Sequence, residues 1–316
     1  MTTEAVSLDD IRSARTRIAD SAIRTPLVRL NVDDTDVWLK LENLQPIGSF
    51  KLRGAGNAIA LATPDQLAKG VYTASAGNMA QGVAWHARRL GLPCTVIVPD
   101  HAPETKLAAI SRLGGAVIKV PFAEWWQVLV TRSYPGQDGF FVHPVSDAAV
   151  IAGNGTIGLE ILEDLPDVDT ILVPYGGGGL SCGIATAVRA LSPDTKVYAC
   201  EVETSAALAA ALAAGEVTNF DYVPSFVDGI GSGSVLEEMW PHAQALLDGS
   251  IVMTLPEVAE AVRVLAERNR VIAEGAGATP VAAALAGRGR YGRVVCVVSG
   301  GNIDLEKLAK IFRREI

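Results

Sequence analysis

Residues 170–191, TILVPYGGGGLSCGIATAVRAL, form the stretch that decides the fold. Thr170–Val173 is a short, continuous apolar run, as expected of a strand covered on both faces of a parallel sheet. Four glycines follow, and the apolar spacing of Leu180–Leu191 then predicts a helix. Strand, glycine turn and helix make up the first part of a βαβ unit, so the chain is predicted to contain a parallel α/β sheet.

The same alternation of strand and helix recurs on both sides of this stretch. Continuous apolar runs predict strands at Val37–Leu41, Val71–Thr73, Cys94–Pro99, Ala116–Val120, Lys196–Cys200 and Arg293–Val298. Helical patterns lie between them at Leu52–Ala62, Met79–Leu90, Glu104–Leu113, Ser205–Ala214 and Pro256–Val271. In such sheets ligands bind beyond the carboxyl ends of the strands, so the residues after each strand are the candidates for function.

Composition and charge restrict the class of protein. Of 316 residues, 49% are hydrophobic and 20% are charged, which fits a folded globular protein and argues against disorder. The net charge of −8 and the lack of a basic stripe argue against nucleic-acid binding. No apolar run reaches the roughly 18 residues that a membrane span requires. The polar start, Met1–Asp10, does not resemble a secretory signal.

The cysteines and histidines give no sign of a metal site. Four cysteines, Cys94, Cys182, Cys200 and Cys296, lie far apart and form no zinc-ligand spacing, and neither do the four histidines. This usage predicts buried, unpaired thiols in a reducing compartment, and we expect a cytoplasmic protein.

Lys51 is the first residue with unusual chemistry. It lies in the first turn of a predicted helix whose expected N-cap is Ser49. The positive end of a helix dipole disfavours an ammonium ion, and an uncharged amine is what Schiff-base chemistry requires. A surface lysine whose stem lies along apolar residues is the simpler alternative.

Three further strand ends add anion-binding and polar groups. Ser75–Met79 is a run of mostly small residues at a predicted helix start, which suits a carboxylate. Gly176–Gly179 suits a phosphate, although it matches neither a Walker loop nor GxGxxG. Ser299 ends the last strand. An amine, a phosphate cradle, a carboxylate cradle and a hydroxyl together predict a pyridoxal phosphate site that handles an amino acid.

At this point the chain resembles a known family. Its motifs occur in the order of the serine/threonine dehydratase family, which is related to serine racemase and belongs to the tryptophan-synthase-β-like, fold-type II pyridoxal phosphate enzymes. The matching motifs are Gly48–Ala55, Ser75–Asn78, Ala152–Thr156, Gly176–Gly179, Asp228-Gly229, Glu274 and Ser299–Asn302. The resemblance runs from about Ile23 to Asn302, nearly the whole chain.

The resemblance implies two three-layer α/β domains with mainly parallel sheets and an active site in the cleft between them. The large domain would comprise residues 1–62 and 145–316, and the small domain residues 63–144. The implied reaction is β-elimination, by dehydration and deamination, of a β-hydroxy amino acid to a 2-oxo acid and ammonia. A homodimer is also implied. Because the chain ends about where the catalytic domains of the family end, we expect no long regulatory extension of the kind found in biosynthetic threonine dehydratases.

The resemblance also assigns roles to individual residues. Lys51 would hold the cofactor covalently and act as the catalytic base. The remaining cofactor contacts would be Phe50, Asn78 at the ring 3-oxygen, Gly176, Gly177, Gly178, Gly179 and Leu180 around the phosphate, Glu274, and Ser299 at the ring nitrogen. The substrate would be bound by Ser75, Ala76, Gly77, Asn78, Met79, Trp126, Asn154 and Gly229.

Several residues depart from the family pattern. Ala76 replaces the serine that racemases use as an acid/base, which favours dehydration over racemisation. Trp125, Trp126 and Met79 suggest an apolar wall for a bulky substrate such as phenylserine, with simple core packing as the alternative. Glu201 matches one ligand of the racemase cation site, but Ala207 occupies another ligand position, so a monovalent or divalent cation is only weakly indicated.

Two other functions remain open from the residues alone. A strand, a glycine loop and Glu201 at the next strand end imitate a dinucleotide-binding protein, although the glycine spacing is wrong. A non-catalytic relative that binds pyridoxal phosphate is the third possibility. The visible absorbance of a lysine-bound cofactor separates the first alternative from a pyridoxal enzyme, and ammonia release separates the second.

Overall fold

The computed structural model describes residues 5–287 and 289–316, so the first four residues of the polar N-terminus lie outside it. The strands are β1 (Leu27–Arg29), β2 (Val37–Leu41), β3 (Val71–Ala74), β4 (Cys94–Pro99), β5 (Ala116–Val120), β6 (Phe140–Phe141), β7 (Thr170–Pro174), β8 (Lys196–Val202), β9 (Ser250–Met253) and β10 (Val294–Val298). The helices are α1 (Leu8–Ile18), α2 (Lys51–Leu61), α3 (Pro64–Leu67), α4 (Asn78–Leu90), α5 (Glu104–Arg112), α6 (Phe122–Thr131), α7 (Ala148–Asp164), α8 (Gly179–Leu191), α9 (Ala207–Ala214), α10 (Trp240–Leu246), α11 (Leu255–Val264), α12 (Gly275–Ala286) and α13 (Leu305–Phe312).

The larger sheet has six strands in the order β1-β2-β10-β7-β8-β9. All neighbours are parallel except β1, which pairs with β2 in an antiparallel arrangement. The two strands that follow β7 in the chain, β8 and β9, lie on one side of it. The last strand, β10, lies on its other side, between β7 and β2. The strand order therefore reverses between β7 and β10, and a ligand is expected beyond their carboxyl ends.

The smaller sheet has four parallel strands in the order β5-β4-β3-β6. Its strands all fall within the predicted segment 63–144, and those of the larger sheet all fall outside it. The limits of that segment themselves stay a prediction. Strand order changes direction at β3, so the loop after β3 is the corresponding ligand position in this sheet.

Helices cover both faces of each sheet, which confirms the predicted three-layer α/β class. One face of the larger sheet packs with α11 and α12, and the other packs with α7 and α8. The smaller sheet packs on α2 and α4 on one face and on α6 on the other. The central strands β7 and β10 are buried along their whole length, which explains their unbroken apolar sequences.

The predicted strands and helices occur with small shifts at their ends. Three of the described strands and seven of the described helices were not predicted: β1, β6, β9, α1, α3, α6, α7, α10, α12 and α13. Two of these helices, α7 and α12, are buried. α7 contains three glycines, and α12 contains Pro280 and is buried over most of its surface, so neither shows an amphipathic stripe. The expected N-cap is also wrong: Phe50 caps α2, and the Ser49 hydroxyl accepts only a long 3.4 Å bond from the Lys51 amide.

The four cysteines are buried and unpaired, as the sequence predicts. Among the described residues, no helix combines the length and hydrophobicity that crossing a bilayer requires.

Candidate active site

A cavity of about 550 Å³ lies where the carboxyl ends of the two sheets meet. Its walls include most of the residues predicted from the sequence: Phe50, Lys51, Ser75, Ala76, Gly77, Asn78, Met79, Gly176, Gly177, Gly178, Gly179, Leu180, Gly229, Glu274 and Ser299. The loops after β3, β7 and β10 thus converge with the start of α2, as the topology requires. Two predicted residues, Trp126 and Asn154, are not among the residues that line it.

Lys51 is the first residue of α2 and points into this cavity. Its Nζ donates a 2.6 Å hydrogen bond to the carbonyl oxygen of Pro144 and lies 5.2 Å from the centre of the Phe50 ring. Burial lowers the pKa of Lys51 to about 8, although the negative charge of Glu274 acts in the opposite direction. About a tenth of the amine is therefore uncharged at pH 7, far more than for an ordinary lysine, and covalent chemistry at a carbonyl requires this form.

The glycine loop has no room for side chains. A Cβ at Gly177 would lie 2.5 Å from Cγ1 of Val145, and one at Gly179 would lie 2.6 Å from the Val145 carbonyl oxygen. Gly178 has a φ of +93°, which side chains rarely adopt. Because α8 begins at Gly179 without a side-chain cap, its first N–H groups are available to an anion. The loop fits a phosphate group.

Asn78 belongs to a short chain of side-chain hydrogen bonds. Its Nδ2 donates to Oε1 of Glu274 at 2.9 Å, and its Oδ1 accepts from Nδ2 of Asn302 at 2.8 Å. Asn302 therefore fixes which end of the Asn78 amide faces Glu274. Burial and the neighbouring Asp228 raise the pKa of Glu274 to about 7.

Asn302 was quoted in a sequence motif but was not predicted as a site residue. Its role depends on Asn78, which is more than two hundred residues away, so no local signal could reveal it.

Ser299 lies at the carboxyl end of β10 and is buried in the cavity wall. Its carbonyl oxygen accepts a 3.0 Å hydrogen bond from the Phe50 amide, which ties the end of β10 to the start of α2. At Gly300 a Cβ would approach Oε1 of Glu274 to 2.5 Å. Ser299 thus lines the same cavity as Lys51 and Glu274.

The segment Ser75–Met79 supplies the start of α4. Gly77 caps this helix without a side-chain hydrogen bond, and Ser75 instead accepts the Gly77 amide at 3.2 Å. The first N–H groups of α4 are therefore available to a carboxylate. Met79 contacts the cavity but is 1% exposed and packs mainly in the core of the smaller sheet.

Trp126 and Asn154 do not lie where the sequence prediction placed them. Trp126 is 43% exposed on α6, and its neighbour Trp125 packs against Phe122, so neither forms a cavity wall. Asn154 is buried in α7, where its Nδ2 donates to the Gly179 carbonyl at 3.2 Å. It therefore supports the glycine loop and is not among the residues that line the cavity.

Glu201 does not offer a free carboxylate for a cation. Its oxygens accept hydrogen bonds from the amides of Leu208 and Ala209, both at 2.8 Å, and from the Ser250 hydroxyl at 2.5 Å. Ala207 contributes no side-chain oxygen. The described part of the chain also contains no cluster of three His, Cys, Asp or Glu residues suited to a metal. These residues do not fit a divalent cation.

A buried ionic cluster anchors the start of α2. Arg53, which is 1% exposed, contacts Glu42 at 2.8 Å and Glu160 at 2.7 Å, and Lys40 also contacts Glu160 at 2.6 Å. The charges of two cations and two carboxylates thus compensate each other at the first turn of α2, the helix that carries Lys51. Thr156 adds a further 3.1 Å hydrogen bond to Arg53.

The fold and the cavity define a class, the fold-type II pyridoxal phosphate enzymes. Residues 18–300 match the family described as pyridoxal-phosphate dependent enzyme, and the chain belongs to this family. The amine, the glycine cradle and the buried hydroxyl suit the linked carbonyl, the phosphate and the ring of this cofactor. The family match removes the dinucleotide-binding alternative.

Similar proteins narrow the class further. The chain is 38% identical to an L-threonine ammonia-lyase of Thermotoga maritima, over 98% of this chain and 79% of that protein. It is 42% identical to an L-threonine ammonia-lyase of Geobacter sulfurreducens, over 88% and 70%. Maize serine racemase superposes with a TM-score of 0.90 at 32% identity, covering 99% of this chain and 98% of that one. The chain is an ammonia-lyase of the dehydratase type, and its cofactor is pyridoxal 5'-phosphate.

Proposed function

We propose that L-threonine and L-serine are the substrates, and that each is converted to a 2-oxo acid and ammonia. The observation that carries the choice is the position of Trp125 and Trp126 outside the cavity. Without them the walls give no support for a dedicated aryl pocket. The L-threonine ammonia-lyases of Thermotoga maritima and Geobacter sulfurreducens support the same choice.

Binding of the substrate carboxylate is proposed at the start of α4. The helix begins at Asn78 with its first amides free of a side-chain cap, and the positive end of the helix dipole favours an anion there. Ala76 and Gly77 have small side chains, so the backbone is accessible to a ligand. The amino acid would be fixed with its α-carbon towards the centre of the cavity.

Proton transfer at the α-carbon is proposed for Lys51. Burial keeps a fraction of its amine uncharged, and the Pro144 carbonyl oxygen accepts a hydrogen bond from Nζ, which directs the nitrogen. When bound, pyridoxal phosphate supplies the electron sink for the α-carbon. Lys51 would accept the α-proton at Nζ, as a general base whose pKa lies near the working pH does.

Ser299 and Gly176–Gly179 are proposed to hold the cofactor at its two ends. The glycine amides would bind the phosphate, and the Ser299 hydroxyl would lie at the ring nitrogen. Because a serine hydroxyl is not acidic near neutral pH, it would not protonate that nitrogen. Asn78, oriented by Asn302, would contact the ring 3-oxygen, and Phe50, Leu180 and Glu274 would complete the cofactor wall.

The test is 2-oxo acid release from the purified holoenzyme. L-Serine, L-threonine, D-serine and both diastereomers of β-phenylserine are compared, and the two L-amino acids should give the highest kcat/KM. Trp126→Ala should leave their kcat/KM unchanged. A preference for phenylserine that Trp126→Ala abolishes would contradict the proposed substrates.

The assignment of Lys51 has its own test. Lys51→Ala should abolish turnover and the visible absorbance of the lysine-bound cofactor. Lys69→Ala is the matched control, because that side chain is 66% exposed and forms only a surface ion pair. Ammonia release by Lys51→Ala at the rate of the control would show that another residue carries the chemistry. If Lys51→Ala loses turnover but keeps the visible absorbance of a lysine-bound cofactor, the same conclusion follows.

We also propose a homodimer in the cytoplasm, with the small domain spanning residues 63–144. The four free thiols support a reducing compartment. The dimer rests on the resemblance to the dehydratase family. Light scattering of the purified holoenzyme tests it, and a mass near 33.1 kDa would indicate a monomer.

A further inference from the structure

The turn at Pro144–Ser146 contacts both parts of the candidate site. The Pro144 carbonyl accepts the 2.6 Å hydrogen bond from Nζ of Lys51. Val145 is packed against the glycine loop, since a Cβ at Gly177 or Gly179 would approach its atoms to 2.5–2.6 Å. The conformation of this turn therefore affects the amine and the phosphate cradle together.

His143 holds the turn through one ring nitrogen. Its Nδ1 accepts the amide of Val145 at 3.1 Å and the amide of Ser146 at 2.8 Å. The ring is 4% exposed, and it also hydrogen-bonds the backbone of Leu129 on α6. Because Nδ1 accepts two amides, the ring proton must lie on Nε2, and the neutral tautomer is fixed.

Burial, together with the positive charges of Arg132 and Lys51, lowers the pKa of His143 to about 3, so the ring stays neutral.

The two contacts belong to one peptide group. The amide held by His143 is the Val145 N–H, and the carbonyl that accepts from Lys51 is that of Pro144, which is joined to the same nitrogen. A trans peptide is planar, with its N–H and C=O pointing in opposite directions. Fixing the N–H therefore fixes the direction of the carbonyl, and each hydrogen bond polarises the other.

We propose that His143 is a positioning residue, which orients the Lys51 amine through the peptide group between Pro144 and Val145. The same ring orients the next peptide group, whose N–H belongs to Ser146. The carbonyl of that peptide group belongs to Val145 and faces Gly179. His143 thus aligns the catalytic amine with the phosphate cradle. This inference rests on the proposed role of Lys51.

Two substitutions separate this role from simple packing. The side-chain oxygen of Asn lies close to the position of Nδ1, so His143→Asn keeps an acceptor for the two amides. The longer Gln side chain places its polar atoms near Nε2, so His143→Gln keeps the contact towards Leu129 but loses that acceptor. We expect the Asn variant to retain kcat within about threefold. A misplaced amine should lower kcat of the Gln variant by about 100-fold with little change in KM.

A second measurement does not depend on turnover. The chain has eight lysines, so carbon-13 NMR of labelled, cofactor-free protein can follow the titration of Lys51 with Lys51→Arg as the assignment control. A carbonyl that accepts from an ammonium ion favours the charged form. The Lys51 pKa, about 8 in the parent protein, should therefore fall in His143→Gln and stay unchanged in His143→Asn.

The outcomes distinguish failure of this inference from failure of the proposed function. Equal Lys51 pKa values in both variants and the parent would overturn the positioning role. So would a loss of kcat in both variants that follows their loss of thermal stability. If Lys51→Ala instead keeps turnover, the function assigned to Lys51 is wrong whatever the His143 variants do.

Discussion

At the scale of single residues, the charge of Glu274 depends strongly on the fold. Its pKa of about 7, against an ordinary value of 4.5, means that the folded protein disfavours the ionised carboxyl. The stability associated with the neutral form is complete below about pH 4.5 and is lost as the pH rises through 7.

Glu274→Gln should therefore stabilise the cofactor-free protein above pH 7 and not at pH 4.5. The largest expected gain is about 3 kcal/mol, and Gln can still accept the hydrogen bond from Asn78. Urea unfolding at a series of pH values measures the difference. Parallel stability curves for the two proteins would show that Glu274 is not the titrating group.

Ala76 provides the second prediction at this scale. It lines the cavity but has no group that can carry a proton. Ala76→Ser should gain some racemisation of serine, because the resemblance to the racemases implies an acid/base serine at this position, opposite Lys51. Chiral analysis of unreacted serine and deuterium exchange at the α-carbon measure this activity. Ala76→Val is the control for added volume, and exchange without inverted serine would exclude position 76 as the missing acid.

At the scale of elements, the glycine loop depends on the backbone of a distant turn. Gly177→Ala would bring a methyl group to 2.5 Å from Cγ1 of Val145, so the loop or the Val145 side chain must shift. We expect a loss of about 1–3 kcal/mol in stability and weaker cofactor binding. Gly233→Ala is the control, because its Cβ would make only ordinary contacts at 3.4 Å or more and, like Gly177, it does not have a positive φ. Cofactor titration should separate the two variants.

The ionic cluster beneath α2 gives a second prediction for an element. Arg53→Met would leave Glu42 and Glu160 without their main partner in a buried site. Removing one partner of such a buried cluster lowers the free energy of unfolding by about 3–5 kcal/mol, which urea unfolding measures. Arg12→Met removes an exposed ion pair with Asp9 and should change stability by less than about 1 kcal/mol. Equal effects of the two substitutions would contradict the assigned importance of burial.

At the scale of the whole molecule, an ion pair joins the two halves across the cavity mouth. Lys106 on α5, beside the smaller sheet, contacts Asp228 at 3.0 Å, and Lys307 on α13 contacts the same carboxylate at 3.4 Å. All three residues line the cavity. The pairing therefore stabilises this arrangement of the two sheets around the cavity.

Lys106→Met should raise KM for L-threonine with little change in kcat, because substrate binding would then have to bring the halves together without this contact. The stability should change by less than about 1 kcal/mol, since the pair is partly exposed. Lys119→Met is the matched control: its ion pair with Glu104 lies within the smaller half. An equal KM for L-threonine in both variants would show that the ion pair between Lys106 and Asp228 does not assist substrate binding.

The sequence alone determined the fold class and most of the cavity wall. Continuous apolar strands and helical periodicity are local properties, so β7, β10, α4 and α8 could be predicted within a few residues. The motifs after β2, β3 and β10 identified Lys51, Asn78 and Ser299 as candidates, because carboxyl ends of parallel strands meet at one edge of a sheet. The chemistry of the residue types then indicated the cofactor.

Only the tertiary structure decided which side chains face one another. Trp126 and Asn154 have the chemistry of a pocket, yet α6 turns one outwards and α7 places the other behind the glycine loop. The effect of Asn302 on Asn78 depends on a contact of a few ångströms between residues that are far apart in the chain. The effect of His143 on the turn beside Lys51 depends on a similar contact, which acts through the oppositely directed N–H and C=O of one peptide group. Residue type and spacing do not contain that information, because hydrogen bonds depend on direction, and direction is fixed only when the helices and sheets pack.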